Sequence, residues 1–81
     1  MLDLEQCEHE MICYTRHAKD RMQERGITED EVEYCLNNYH TSYADPDGNP
    51  IYKADLPGDR RIKVVVKANS TDPIIVITVA D

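Results

Sequence analysis

Four side chains in one short segment carry much of the chemistry this sequence offers: His17, Arg21, Glu24 and Arg25. Steps of four and three residues return to the same side of an α-helix, so His17, Arg21 and Glu24 share a helical face, with Arg25 at its edge. Cleaving RNA without a metal takes a group for the 2′-hydroxyl proton, a cation for the charge developing on phosphate, and an acid for the leaving oxygen. His17 or Glu24 can move protons, Arg21 can meet the charge, and Arg21 with Arg25 can clamp a phosphate bidentately. Arg60, Arg61, Lys63 and Lys67 extend the cationic surface if the polar face of their strand adjoins the helix. Tyr43 or Tyr52 can stack on a base. The expected catalytic set is therefore His17, Arg21 and Glu24, with Arg25, Arg61, Lys63 and Tyr52 as RNA contacts. The structural alternative makes His17 a half-buried packing residue hydrogen-bonded to the backbone. It pairs Arg21 and Arg25 with carboxylates such as Glu24, Glu29 or Asp55.

Other chemistries fare less well. Cys7, His9, Cys13 and His17 follow a Cys-x-His-x₃-Cys-x₃-His spacing, with Cys35 and His40 as further ligands. Structural zinc sites usually bring paired ligands on tight knuckles such as C-x₂-C, which this sequence lacks, so neither metal nor cofactor is expected. Three widely spaced cysteines are an odd count for a disulfide framework and read as reduced, small hydrophobes. Nothing in the sequence marks one of them as an activated nucleophile. No G-x-x-x-x-G-K-[ST] loop, G-x-G-x-x-G, H-E-x-x-H or serine elbow is present, which sets aside nucleotide-fuelled and zinc-protease chemistry.

The elements that must position these residues are legible in the caps and periods. Residues 1–13 stay ambiguous: Leu2, Leu4 and Cys7 alternate loosely, the glutamates favour helix, and Met11-Ile12-Cys13-Tyr14 suits either a strand or the end of a leading helix. From Thr15, an N-cap, residues 16–25 are good helix formers, and Gly26 falls where a left-handed residue ends a helix. Thr28-Glu29-Asp30-Glu31 matches a capping box. Val32, Cys35, Leu36 and Tyr39 then form one apolar stripe on a second helix of about residues 29–38. After residue 40 the period becomes two. Strands are expected at 40–44, 51–56, 61–67 and 74–79, the last apolar on both faces as a central strand would be. Turns fall at Asp45–Pro50, Pro57-Gly58-Asp59 and Asn69–Pro73. The expected fold is α+β, a single domain over residues 1–81, with two N-terminal helices (15–38) on one face of a four-stranded antiparallel sheet (40–79).

The chain has 81 residues, no Trp and no Phe, so Tyr, Val, Ile, Leu and Met must build a thin core. Its net charge of −7 argues against simple electrostatic capture of nucleic acid. That charge is uneven: residues 1–40 hold ten acidic and four basic side chains, residues 41–81 six and five. No apolar run nears the roughly 20 residues that cross a bilayer, and Met1-Leu2-Asp3-Leu4-Glu5 is acidic where a signal peptide is basic. A cytoplasmic location without membrane contact is expected.

The segment Tyr14-Thr15-Arg16-His17-Ala18-Lys19-Asp20-Arg21-Met22-Gln23-Glu24-Arg25-Gly26-Ile27 resembles the His-Ala-x-x-Arg-Met-x-x-Arg-Gly-Ile signature of a small bacterial domain family. Gly48, Tyr52 and the closing Val-Val-Val … Ile-Thr-Val pair extend the resemblance over about residues 11–80. That family is similar in layout to BrnT and, more distantly, to the RelE/ParE toxins, compact α+β modules many of which cut RNA. The resemblance implies a RelE-like fold, a toxin-type metal-independent endoribonuclease, RNA as substrate, and an antitoxin partner covering the basic face. The alternative is a non-catalytic protein-interaction module of the same fold, with strand edges and the Tyr-bearing hairpin mediating homodimerisation.

Overall fold

The computed structural model describes residues 4–5, 12–70 and 73–81. Cys7 and His9 of the zinc-like spacing lie outside the described residues. Thr15 caps helix α1 (Arg16–Arg25), its hydroxyl accepting from the Ala18 N–H at 3.0 Å and donating to the Ile77 carbonyl at 2.8 Å. Gly26 ends the helix at φ 66°, a left-handed conformation that costs a β-carbon-bearing residue about 1 kcal/mol. Helix α2 (Glu29–Asn38) starts from Thr28 with both halves of the capping box in place. Glu31, the acidic half of that box, also takes Arg60 Nη1 at 2.7 Å, tying the helix start to the sheet.

Two-residue periodicity then produces β3 (Thr41–Ala44), β4 (Pro50–Leu56), β5 (Arg60–Val66) and β6 (Ile74–Ala80), paired antiparallel in that order. The sheet is larger than the four-stranded antiparallel one expected. Residues Ile12–Thr15 form β2, which lies parallel to β6 with Ile12 opposite Ile74 and Tyr14 opposite Val76. The two-residue β1 (Leu4–Glu5) adds at the outer edge, giving the order β1-β2-β6-β5-β4-β3. The sheet is thus mixed, and β6 sits inside it, as its apolar composition requires. A bulge on β6 sets Val65 opposite Thr78 and Val66 opposite Val76, and Ile77, whose carbonyl Thr15 binds, is the residue it inserts.

Both helices cover one face, α1 against β2 and β6, α2 against β4 and β5. Ala18 and Met22 of α1, Val32 and Cys35 of α2, and Ile62, Val64, Val66, Val76 and Val79 of the strands form one core. The apolar stripe of α2 buries less than its periodicity suggests: Leu36 is half-buried and Tyr39, the C-cap, is exposed. Ile27 joins the core at the α1–α2 corner, as a staple residue does.

Two predictions follow from these packing facts. Thr15→Val should cost about 2 kcal/mol in urea unfolding, because it removes the helix cap and leaves the Ile77 carbonyl without that donor. Cys35 is wholly buried, with Sγ 3.5 Å from the Tyr52 carbonyl oxygen, and burial pushes its thiol up from 9.0 to about 11. The folded value lies above the unfolded one, so this contribution is complete below pH 9 and is lost as pH rises through about 11. The expected loss is on the order of 2–3 kcal/mol. Cys35→Ala should flatten that part of the stability–pH curve relative to wild type.

Candidate functional site

Strand alternation sends Ile62, Val64 and Val66 toward the helices and Arg61, Lys63 and Val65 to the opposite face, which is helix-free among the described residues. The hairpin turn at residues 57–59 sets the register, with Leu56 opposite Arg60, Asp55 opposite Arg61, and Lys53 opposite Lys63. On β3, Thr41 stands opposite Lys53 and Tyr43 opposite Ile51. The helix-free face therefore has an apolar middle, Ile51 beside Val65, both buried, and a polar end where Lys53, Asp55, Arg61 and Lys63 meet.

At that end lies a shallow concavity of about 360 Å³ lined by His40, Thr41, Lys53, Arg61, Lys63 and Asp81, with the buried Ala54 and Ile62 at its floor. His40 Nδ1 is 2.8 Å from Thr41 Oγ1, and Nε2 is 3.6 Å from Asp55 Oδ1. The same Asp55 oxygen lies 3.3 Å from Arg61 Nε. Lys53 Nζ stands 5.3 Å from the centroid of the exposed Tyr43 ring. Arg25 reaches the rim from the end of α1 through Asp81, Nη1 to Oδ1 at 3.3 Å. Arg25, Lys53, Arg61 and Lys63 thus face two carboxylates, Asp55 and Asp81, a local cationic excess on a chain of net charge −7. Lys53 and Lys63 are directly opposite across the ladder, a like-charge pair that weakens the sheet unless an anion lies between them.

The residues expected to act together are divided by this geometry. Arg25, Arg61 and Lys63 gather at the concavity. His17, Arg21 and Glu24 stand on α1, the helix packed over β2 and β6 on the sheet's other face. His17 is exposed rather than half-buried, and its ring makes no hydrogen bond or ion pair among the described residues. Arg21 pairs with Glu24 at 3.7 Å, and Glu29 is taken by Lys19 at 2.6 Å. Tyr52 is also on the helix side, its ring 4.8 Å from that of Tyr39. It lines a second concavity of about 410 Å³ with Leu36, Tyr39 and Ile74. Arg60 belongs to the helix side too, through Glu31, and Lys67 lies beside the Tyr52 concavity.

His40, Asp55 and Lys53 complete the cluster and have no motif, because they come from a loop and one strand. The signal that does find them is the register. A hairpin closed by Pro57-Gly58-Asp59 places residues whose numbers add to the same total opposite one another, bringing Asp55 to Arg61 and Lys53 to Lys63. Among the described residues, no group of three or more His, Cys, Asp or Glu side chains is arranged to hold a metal ion. No helix among them is long and apolar enough to cross a membrane.

Residues 14–81 match the family model described as Domain of unknown function (DUF4258). No curated protein and no solved structure matches the chain.

Proposed function

We propose, taking as premise that the chain belongs to the DUF4258 family, that it is a toxin-like, metal-independent endoribonuclease module binding RNA on the helix-free face of its sheet. The observation that carries this reading is the opposed Lys53–Lys63 pair beside Arg61. A phosphodiester seated between the two ammonium groups turns a cross-strand repulsion into two attractions, and Arg61 adds a planar donor fork. Tyr43, exposed on the same face, offers a stacking surface for a base next to that phosphate. On this reading the module is of the BrnT or RelE/ParE type, and an antitoxin covers the cationic end until it is removed.

The test is incubation of a defined single-stranded RNA with purified protein, with and without ribosomes, in the presence of EDTA. Cleavage that survives EDTA supports the reading, and its absence in every arm sinks it. His17→Ala, included in the same series, reports on the helix α1 set. Loss of cleavage with an unchanged melting temperature would bring His17, Arg21 and Glu24 back to the centre of the chemistry, whereas retained cleavage leaves the concavity as the site.

A second reading, a non-catalytic interaction module, is favoured by one observation: Arg21, Arg25 and Arg61 each already have a carboxylate partner. The exposed edge strand β3 would then serve to add a strand from a partner or a second copy. Size-exclusion mass at increasing protein concentration separates this module from a monomeric nuclease.

A further inference from the structure

We infer that His40 is the catalytic base of the concavity, oriented by Asp55, an assignment that rests on the ribonuclease reading above. His40 is held where it enters β3 by its backbone N–H, which donates to the Lys53 carbonyl at 2.9 Å. Its ring lies between a hydroxyl and a carboxylate: Thr41 Oγ1 is 2.8 Å from Nδ1, and Asp55 Oδ1 is 3.6 Å from Nε2. The proton is assigned to Nε2, which faces the Asp55 carboxylate at 3.6 Å, and this leaves the Nδ1 lone pair as acceptor. In that tautomer the Thr41 hydroxyl, 2.8 Å away, is the donor to Nδ1. The Thr41 oxygen therefore marks the place a ribose 2′-hydroxyl takes when RNA enters.

The step that follows balances without a metal. The 2′-oxygen forms a bond to phosphorus as its proton passes to His40 Nδ1, and the bond from phosphorus to the 5′-oxygen breaks. The leaving 5′-oxygen takes a proton from solvent water, and the imidazolium later returns its own to solvent. The products are a 2′,3′-cyclic phosphate and a 5′-hydroxyl. Asp55 faces the imidazolium while it exists, and Lys53, Lys63 and Arg61 face the phosphorane oxygens. His17 has no such company: no carboxylate among the described residues pairs with its ring, and nothing there fixes its tautomer.

The experiment compares wild type with His40→Ala, His40→Gln and Asp55→Asn on a single-stranded RNA and on its 2′-deoxy counterpart, which cannot be cut. His40→Ala and His40→Gln should lose about 10²- to 10⁴-fold in cleavage rate while binding the 2′-deoxy strand as wild type does. Added imidazole should restore cleavage to His40→Ala, which a merely structural histidine would not permit. Asp55→Asn should show a smaller loss. Full activity in His40→Gln, with wild type active, overturns the role of His40 alone. An inactive wild type overturns the ribonuclease reading, and the assignment of His40 falls with it.

Discussion

Replacing Arg61 and Lys63 together by glutamate is expected to abolish RNA cleavage and weaken single-stranded RNA binding by about 10²- to 10³-fold at low salt. Two phosphate contacts become two repulsions, and the concavity changes from a cationic excess to an anionic one. Losing two contacts to a single strand should also make the dependence of log K on log salt shallower by about 1.4. The fold should survive. Arg61 is 84% exposed, and its pairing with Asp55, itself 64% exposed, is of the kind worth at most about 1 kcal/mol. Filter binding across a salt series, with a thermal melt of the same sample, reads both quantities. Unchanged binding in the double variant would remove the helix-free face from the functional account.

The residue between those two should behave in the opposite way. Ile62 is 2% exposed and is the largest of the fully buried side chains, seated under the helices with Val32, Cys35 and Val64. Ile62→Ala should cost about 2–5 kcal/mol, a transfer loss plus the cavity it leaves. In a chain of this size each kcal/mol moves the melting temperature by about 4–8 °C, so a fall of 10 °C or more is expected. RNA affinity, measured well below that melting temperature, should change little. Three consecutive residues thus separate binding from stability, and calorimetry of the three single variants checks the separation. If Ile62→Ala melts within about 2 °C of wild type, the core is not where the strand alternation places it.

Helix boundaries were readable because caps are local: Thr15, Gly26 and the Thr28/Glu31 box lie within a few residues of the ends they specify. Strands β4, β5 and β6 were readable from two-residue alternation and from the turns between them. Strand β2 was not, since four residues carry no period and its partner is β6, some sixty positions along the chain and parallel to it. No hairpin turn announces such a pairing. The site divided for the same reason. Arg25, Arg61 and Lys63 were legible as cations, but helix periodicity groups only residues of one helix, and it favoured His17, Arg21 and Glu24 over a cluster assembled across β3, β4 and β5. Residue type alone suggests Tyr52 as a stacking contact beside Arg61 and Lys63, while the β4 register turns it toward α2.

The place of β6 bears on how the chain can be made. It is the last strand in chain order, yet β2 on one side and β5 on the other both bond to it. During synthesis the helices and the β3–β5 meander leave the ribosome first, with two unsatisfied strand borders waiting for a segment still inside the exit tunnel. Until β6 emerges, neither the Thr15 hydroxyl nor the buried faces of β2 and β5 have their partners. A nascent chain of this design keeps both strand borders open until β6 is available, and then closes them in one event.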